Sequence, residues 1–361
     1  MRAVVLVGGE GTRLRPLTSA VPKQMLPVAG VPMIERVLAQ LAAYDIDDVV
    51  LSLGYRPDAF LSAYPKGRAG GVRITYAVEP EPRDTAGAIR FAAMEAGITD
   101  TFLVVNGDVL TDLDIAELVA FHRDHDASAT ISLTPVDDPS AFGVVPTDAD
   151  GKVEAFIEKP PADEASTNLI NAGTYVFEPE VIDLITPDVR VSVEKVTFPR
   201  LVEAGSLYAL ASKEYWLDTG TPALYIRAVL DILVGRRRIS APMPGVGDQA
   251  GHHVWTAPSA SVDGEVEGPA LLEEGARVSV GARVSASHLG AGVVIGRDAT
   301  VRGSVVLAGA VVEDGATVED SVIGPAAHIG HGARVLAVSV VGHGASVEAG
   351  TSLSGARYPG T

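Results

Sequence analysis

The sequence predicts an α/β fold with a mostly parallel sheet, followed by a triangular β-helix. Three observations predict it. Apolar runs and helical patterns alternate over the first 235 residues. The first of these runs is continuously apolar, as in a strand buried on both faces. From residue 258 onward, three columns of aliphatic side chains share one 17-residue period.

The elements follow in order. Ala3 to Val7 (AVVLV) reads as the first strand. MIERVLAQLAAY (33–44) sets Met33, Val37, Leu41 and Ala42 at helical spacing. DVVLSLG (48–54) and VRITYAV (72–78) are strands, and TAGAIRFAAMEAG (85–97) is a helix. TFLVVNGD (101–108) is a strand and DIAELVAFHRDH (114–125) a helix. Such βαβ order implies a Rossmann-like sheet with helices on both faces. Its ligands sit at the carboxyl ends of the strands. VLVGGEG and LVVNGD both end strands in this way, so Gly8 and Asp108 are expected on one rim.

The grammar then changes. Residues 1–235 form the expected α/β domain, 236–257 a linker and 258–357 the repeat domain. The Arg236–Arg238 run reads as a solvated helix end. Gly-Ala-x-Val recurs at 275, 281, 309, 315, 332 and 344. The columns are Val284, Val301, Val318, Val335; Val278, Ile295, Val312, Ile329; and Leu289, Val306, Ile323, Val340. Three short strands per coil, each turning one aliphatic side chain inward, describe a triangular prism. A degenerate first coil lies near Val262–Leu272. The pattern resembles the left-handed hexapeptide-repeat β-helix. An exposed prism face can pair with another copy, so a homo-oligomer is expected.

Composition narrows the function. The 361 residues include no cysteine, which excludes disulfides and thiolate metal sites and fits a reducing compartment. No stretch approaches the roughly 18 apolar residues of a membrane span, and a cytoplasmic protein without membrane partners is expected. The net charge of −18 argues against broad nucleic-acid binding. Residues 1–30 depart from it: Arg2, Arg13, Arg15 and Lys23 stand against Glu10 alone, a local +3 that leaves −21 for the rest. A positive island in an acidic chain suits a small anionic ligand.

That island carries GGEGTRLRPLT (8–18). Gly-rich loops after strands commonly hold phosphate. The P-loop spelling fails, because no Gly-Lys-Ser/Thr follows. The dinucleotide fingerprint fails as well, because Leu14 occupies its last glycine position. What remains is G-G-x-G-T-R-L-x-P-L-T, then Pro22-Lys23 and MLPVAGVPMIE (25–35). Backbone N–H groups of Gly8, Gly9, Gly11 and Thr12 can form a concave anion nest.

With NGD (106–108), FGVV (142–145), FIEKP (156–160), NAGTYVFE (171–178) and WLDTGTP (216–222), this combination resembles the sugar-1-phosphate nucleotidylyltransferases over essentially the whole chain. The β-helix, TAGAI (85–89) and the RLRPLT spelling are most similar to bacterial mannose-1-phosphate guanylyltransferases. The resemblance implies attack of a sugar-1-phosphate oxygen on the α-phosphorus of a nucleoside triphosphate with release of pyrophosphate, the expected pair being GTP and mannose-1-phosphate and the expected product GDP-mannose. The nucleophile is already an anion, so catalysis rests on alignment and charge neutralisation. Arg13 and Lys23 would neutralise the phosphates, and Arg15 has either a binding or a structural role. Asp108 and Asp218 would hold Mg²⁺, which takes one or two carboxylates plus phosphate oxygens and water. Lys159 would pair with the sugar phosphate, Glu158 and Asn171 with sugar hydroxyls, and Gly143 would offer its N–H. Thr85 and Gly87 would border the nucleotide.

One stretch departs from the family pattern. P-L-G-T-A-G-A-[IL] becomes PRDTAGAI (82–89), with Arg83 and Asp84 in place of Leu and Gly. Asp84 either accepts from the nucleotide or caps the helix at Thr85. Two further readings stand beside the first. One is the same chemistry with glucose-1-phosphate and dTTP, UTP or ATP. The other is a non-catalytic subunit that binds nucleotide sugars, against which stands the retention of Arg13, Lys23, Asp108 and Asp218. Glu203, Asp112 and Asp114 read as solvated or capping, and His328 and His331 as coil-edge residues.

Overall fold

The structure, a computed structural model, describes residues 1–161, 163–239, 243, 245–248 and 252–360. Part of the expected linker, residues 240–242, 244 and 249–251, therefore lies outside the described residues. The chain divides into two compact units. One comprises Met1–Gly9 with Ile34–Trp216, the other Glu10–Met33 with Leu217–Thr361.

The first unit is built on a sheet whose parallel strands run Val72–Val78, Asp48–Leu53, Arg2–Leu6, Phe102–Asn106 across its width. Val4 pairs with Val50 on one side and Val104 on the other. All three are buried, as the unbroken apolar spelling of central strands requires. Leu169–Phe177 adds antiparallel to Phe102–Asn106. Ala129–Pro135 pairs with it in turn, and Leu207–Ala211 runs parallel to Ala129–Pro135. Helix Asp84–Glu95 buries Ala86, Gly87, Ala88, Ile89, Ala92 and Ala93. Small residues on that face let the helix lie close to the sheet. The aromatic side of the core joins Tyr175, Phe177, Phe198 and Phe156; Tyr175 and Phe198 meet edge to face at 5.2 Å. The chain order reverses between Arg2–Leu6 and Phe102–Asn106, the switch point at which such sheets bind ligands.

The second unit carries the β-helix. Its inward columns are Val278, Ile295, Val312, Ile329, Val347; Val284, Val301, Val318, Val335, Leu353; and Leu289, Val306, Ile323, Val341. The third column corrects the sequence reading, which placed Val340 after Ile323. The last full coil is one residue longer than 17. Earlier coils turn this corner with one left-handed residue, Ala286, Gly303 or Asp320, whereas the last uses two, Ala337 and Val338. Buried serines stack at the same corner. Ser304 N–H donates to Ser287 Oγ, and Ser321 N–H to Ser304 Oγ, each at 3.1 Å.

One prism face is buried on its outer side too. Leu271, His288, Val305, Val322 and Val340 point away from the prism interior, yet each is fully buried. Helix Pro222–Leu233 lies against the first two coils of this face, at strands Glu265–Leu272 and Arg283–Leu289. Thr221 Oγ1 caps it by accepting the Leu224 N–H at 3.3 Å, with Pro222 in its first turn. The Arg236–Arg238 run is not uniformly solvated. Arg236 pairs with Asp231 at 2.9 Å, while Arg237 is buried. Asp112 is likewise buried, contrary to expectation, whereas Asp114 caps its helix through the Glu117 N–H. Among the described residues no helix is long and apolar enough to cross a membrane.

Candidate active site

In the first unit the rim forms at the switch point. The Arg2–Leu6 strand ends beside the Asp48–Leu53 strand, where Val7 N–H donates to Ser52 O at 3.1 Å. Gly8 then runs alongside Gly54 and the Glu79 carboxylate. The neighbouring strand ends in Asn106-Gly107-Asp108, and Gly107 N–H donates to Leu6 O at 2.9 Å. Gly8 and Asp108 therefore share one rim, as the strand-end motifs predict.

Of the residues expected on the sugar side, Asn171 bonds a buried tyrosine. Asn171 donates from Nδ2 to the Tyr175 hydroxyl at 2.9 Å and accepts the Gly173 N–H at 3.0 Å. A bulge between Asn171 and Tyr175 makes this bonding possible. Gly173, at φ 78, has no room for a side chain, because a Cβ would stand 2.6 Å from Asn106 Nδ2. The glycine of NAG thus admits the asparagine of NGD, and the two motifs become one surface. Burial, and then the charge of Glu194, pushes the Tyr175 hydroxyl far above the ordinary phenol range; Glu158 and Asp108 act in the same direction. The hydroxyl stays neutral, accepts from Asn171 and lies within the electrostatic reach of three carboxylates. Glu158 pairs across the strands with Gly143, and its Oε1 lies 3.2 Å from the exposed Lys159 ammonium.

Thr85 and Gly87 are engaged within the unit. Thr85 Oγ1 donates to Glu194 and accepts the Val193 N–H, both at 2.8 Å. Ala86 and Gly87 N–H groups donate to Val191 O. These bonds satisfy the first turn of the helix, whose N–H groups have no partner within it. Asp84 stands at φ 61, in the left-handed region where the family pattern has glycine. Its Oδ1 accepts the Thr85 N–H at 2.8 Å, so its side chain serves the helix start.

Sequence reasoning missed Glu79 and Tyr175. Glu79 Oε2 accepts the Arg83 N–H at 2.9 Å, and Oε1 accepts from Ser52 at 3.2 Å. Burial outweighs these bonds and raises its carboxyl above the ordinary range. Its position at the end of a strand, one residue past VRITYAV, was the available signal. Tyr175 gave none, since alternation assigns it to the core.

The signature loop belongs to the second unit from Glu10 onward. Gly11 is left-handed at φ 61, and Thr18 Oγ1 donates to its carbonyl at 2.8 Å. Short 3₁₀ turns at Thr12–Leu14 and Lys23–Met25 carry the two cations. Asp218 lies between them: Arg13 Nη2 is 3.7 Å from Oδ2 and Lys23 Nζ 3.5 Å from Oδ1. These distances are too long for directional hydrogen bonds. With the Arg13 side chain 64% exposed, the first pair is worth about 0–1 kcal/mol, so a polyanion can take Arg13 at little cost. Arg15 is occupied by Glu10 at 2.7 Å, which fits a structural part. The carboxylates in question, Asp108 and Asp218, offer oxygen donors only, which suits a hard divalent cation. Among the described residues no cluster of three or more His, Asp or Glu could enclose a metal by itself.

Comparison with known proteins agrees with this chemistry. The nucleotidyl transferase family model matches residues 2–234, and the model of the GMPPB C-terminal domain matches residues 266–358. The chain is 43% identical over 254 residues to the mannose-1-phosphate guanylyltransferase of Mycobacterium tuberculosis, covering 70% of this chain and 69% of that protein. It is 40% identical over 269 residues to the mannose-1-phosphate guanyltransferase of Eremothecium gossypii, covering 73% of each. Among solved structures, a putative glucose-1-phosphate thymidylyltransferase from Bacillus anthracis matches with a TM-score of 0.57 at 28% identity, over 63% of this chain and 94% of that one. HddC from Yersinia pseudotuberculosis, complexed with GMP-PN, matches with a TM-score of 0.55 at 30% identity, over 63% and 97%. Enzymes of such a family generally use a divalent metal.

Proposed function

The chain belongs to the nucleotidyl transferase family, and from that premise we propose that it transfers GMP from GTP to mannose-1-phosphate, releasing pyrophosphate and forming GDP-mannose. The observation that carries this reading is the Arg13–Asp218–Lys23 arrangement, in which Asp218 stands between the signature loop's Arg13 and Lys23 of the following turn. Arg13, its side chain 64% exposed, faces solvent where the phosphates of a nucleotide can reach it, while Lys23 adds its charge from a buried position beside the same carboxylate. The names of the 40–43% identical relatives support guanylyl transfer to mannose-1-phosphate.

In this reading Gly8, Gly9, Gly11 and Thr12 offer N–H groups to the triphosphate, while Thr85 and Gly87 shape the nucleotide side. Arg13 and Lys23 draw charge from the α-phosphorus toward the departing pyrophosphate. Lys159 orients the attacking sugar phosphate, and Glu158, Asn171 and Gly143 hold the sugar hydroxyls. No base is needed, because the attacking oxygen is already anionic. Asp108 and Asp218 would hold Mg²⁺, which supplies further neutralisation when bound.

A grid of five nucleoside triphosphates and several sugar-1-phosphates, with and without Mg²⁺, tests the reading by pyrophosphate release. GTP with mannose-1-phosphate should stand out. Release with dTTP and glucose-1-phosphate instead would transfer the assignment to the activity named for the Bacillus anthracis neighbour. No release in any well would leave a non-catalytic subunit. We also place the enzyme in the cytoplasm as a homo-oligomer joined through the β-helix. Light scattering that returns the monomer mass would remove the second point.

A further inference from the structure

The signature loop rests on the β-helix at a glycine. Pro16 Cγ and Cβ lie 3.0 and 3.2 Å from where a Cβ on Gly342 would stand. The same corner of earlier coils is occupied by Gly290, Leu307 and Gly324, each just past the inward column. At Gly290 and Gly324 an added Cβ would meet the backbone of the following coil at 2.7 Å, so the coil itself excludes a side chain there. Gly342 differs. The following coil's nearest atom, Tyr358 O, would be 3.5 Å away, an ordinary contact, and Gly342 is not among the left-handed glycines. Leu307 shows that the corner accepts a side chain. The β-helix leaves room at Gly342, and Pro16 takes it.

Pro16 leads directly into the loop's working parts. It precedes the Leu17–Ser19 turn and accepts the Ser19 N–H at 3.2 Å. Within that turn Thr18 Oγ1 bonds the Gly11 carbonyl at 2.8 Å. Gly11 is closely bounded by Thr18 and Lys23, each 3.1 Å from its would-be Cβ. Pro16, Thr18, Gly11 and Lys23 are thus linked by consecutive contacts.

We propose that this corner of the β-helix is a positioning seat for the nucleotide loop, and that Gly342, by lacking a side chain, sets where Gly11, Arg13 and Lys23 meet the triphosphate. The repeat domain then takes part in the chemistry of the α/β domain without touching a substrate. The inference rests on the loop's reading as a triphosphate cradle.

The test uses the full chain as wild type, Gly342→Ala, Gly342→Val, Pro16→Ala and the Pro16→Ala/Gly342→Ala double variant. GTP–Mg²⁺ affinity is measured by calorimetry without sugar phosphate, alongside kcat, both KM values and thermal melting. Displacement by a few tenths of an ångström should cost roughly threefold in nucleotide affinity for Gly342→Ala and roughly tenfold for Gly342→Val, given that 1 Å can cost about a hundredfold. The mannose-1-phosphate KM and the melting temperature should hold. On the Pro16→Ala background, Gly342→Ala should have no further effect on nucleotide affinity, the non-additivity expected of residues in contact. Unchanged nucleotide affinity in Gly342→Val overturns the proposal. So does an equal penalty on both backgrounds, or a lowered melting temperature with parallel loss of both substrates. If wild type binds no nucleoside triphosphate and releases no pyrophosphate, the functional reading falls and this inference with it.

Discussion

The rim of the first unit and the signature loop of the second are built differently, and in the proposed reading they serve different parts of the substrates. The rim gathers Asp108, Glu158 and Glu194 around the neutral Tyr175 hydroxyl, with Glu79 beside Gly8. Its groups are fixed by strand ends, a bulge and short hydrogen bonds. The loop gathers Arg13 and Lys23 around one carboxylate at distances over 3 Å. Its groups are fixed by 3₁₀ turns seated on a β-helix. In the proposed reading Glu158 and Asn171 of the rim would serve sugar hydroxyls, which need directional partners, and the loop's cations would serve phosphates, which need charge and tolerate looser geometry.

If the loop works by charge, Arg13→Ala should show the largest effect: a loss of about 3–4 kcal/mol of transition-state stabilisation, roughly 10²–10³ in kcat by pyrophosphate release. A normal kcat would break the comparison on that side. The prism interior, unlike the seat at Gly342, should separate from the loop's chemistry. Val301 is fully buried within the prism, and Val301→Ala should lower unfolding free energy by about 1–3 kcal/mol with kcat unchanged, read by urea melts and assay together. On the rim, Tyr175→Phe leaves Asn171 Nδ2 without its acceptor. It should cost about 1–2 kcal/mol, roughly tenfold in kcat/KM for the sugar phosphate, while nucleotide affinity stays constant. A change in nucleotide affinity would blur the division of labour. The smallest effect concerns Glu79. Its folded-state carboxyl titrates above the ordinary 4.5, so the folded protein binds more protons than the unfolded chain just above that pH. This contribution to stability is lost as pH rises through that window. Glu79→Gln should therefore flatten the fall in stability there, seen in denaturant midpoints measured at closely spaced pH.

Much of this was legible in the sequence. The strands Arg2–Leu6, Asp48–Leu53 and Phe102–Asn106 stand where apolar runs predict, because burial on both faces admits little else, and Val72–Val78 stands where alternation predicts a half-buried strand. The β-helix was legible because a 17-residue period repeats the same packing problem in every coil. That reading slipped at Val340, where one inserted residue at Ala337-Val338 moved the column to Val341. A fixed period cannot anticipate an insertion that a corner absorbs. At the site, Gly8 and Asp108 were legible as strand ends on one rim. Asp84 was legible as a departure, and its left-handed backbone explains why the pattern places glycine there.

By itself, the sequence determined the order of elements, the period of the repeat and the residues able to carry phosphate chemistry. Each follows from local pattern: burial sets the spelling of strands, coil geometry the period, charge and glycine the loop. Only the tertiary structure decided their partners. It placed Asp218 between Arg13 and Lys23, drew Asn171 onto Tyr175, and turned Thr85 toward Glu194. It also set Pro16 on Gly342, 326 positions further along the chain. Contacts at such separation depend on the whole fold closing, and no window of sequence contains them.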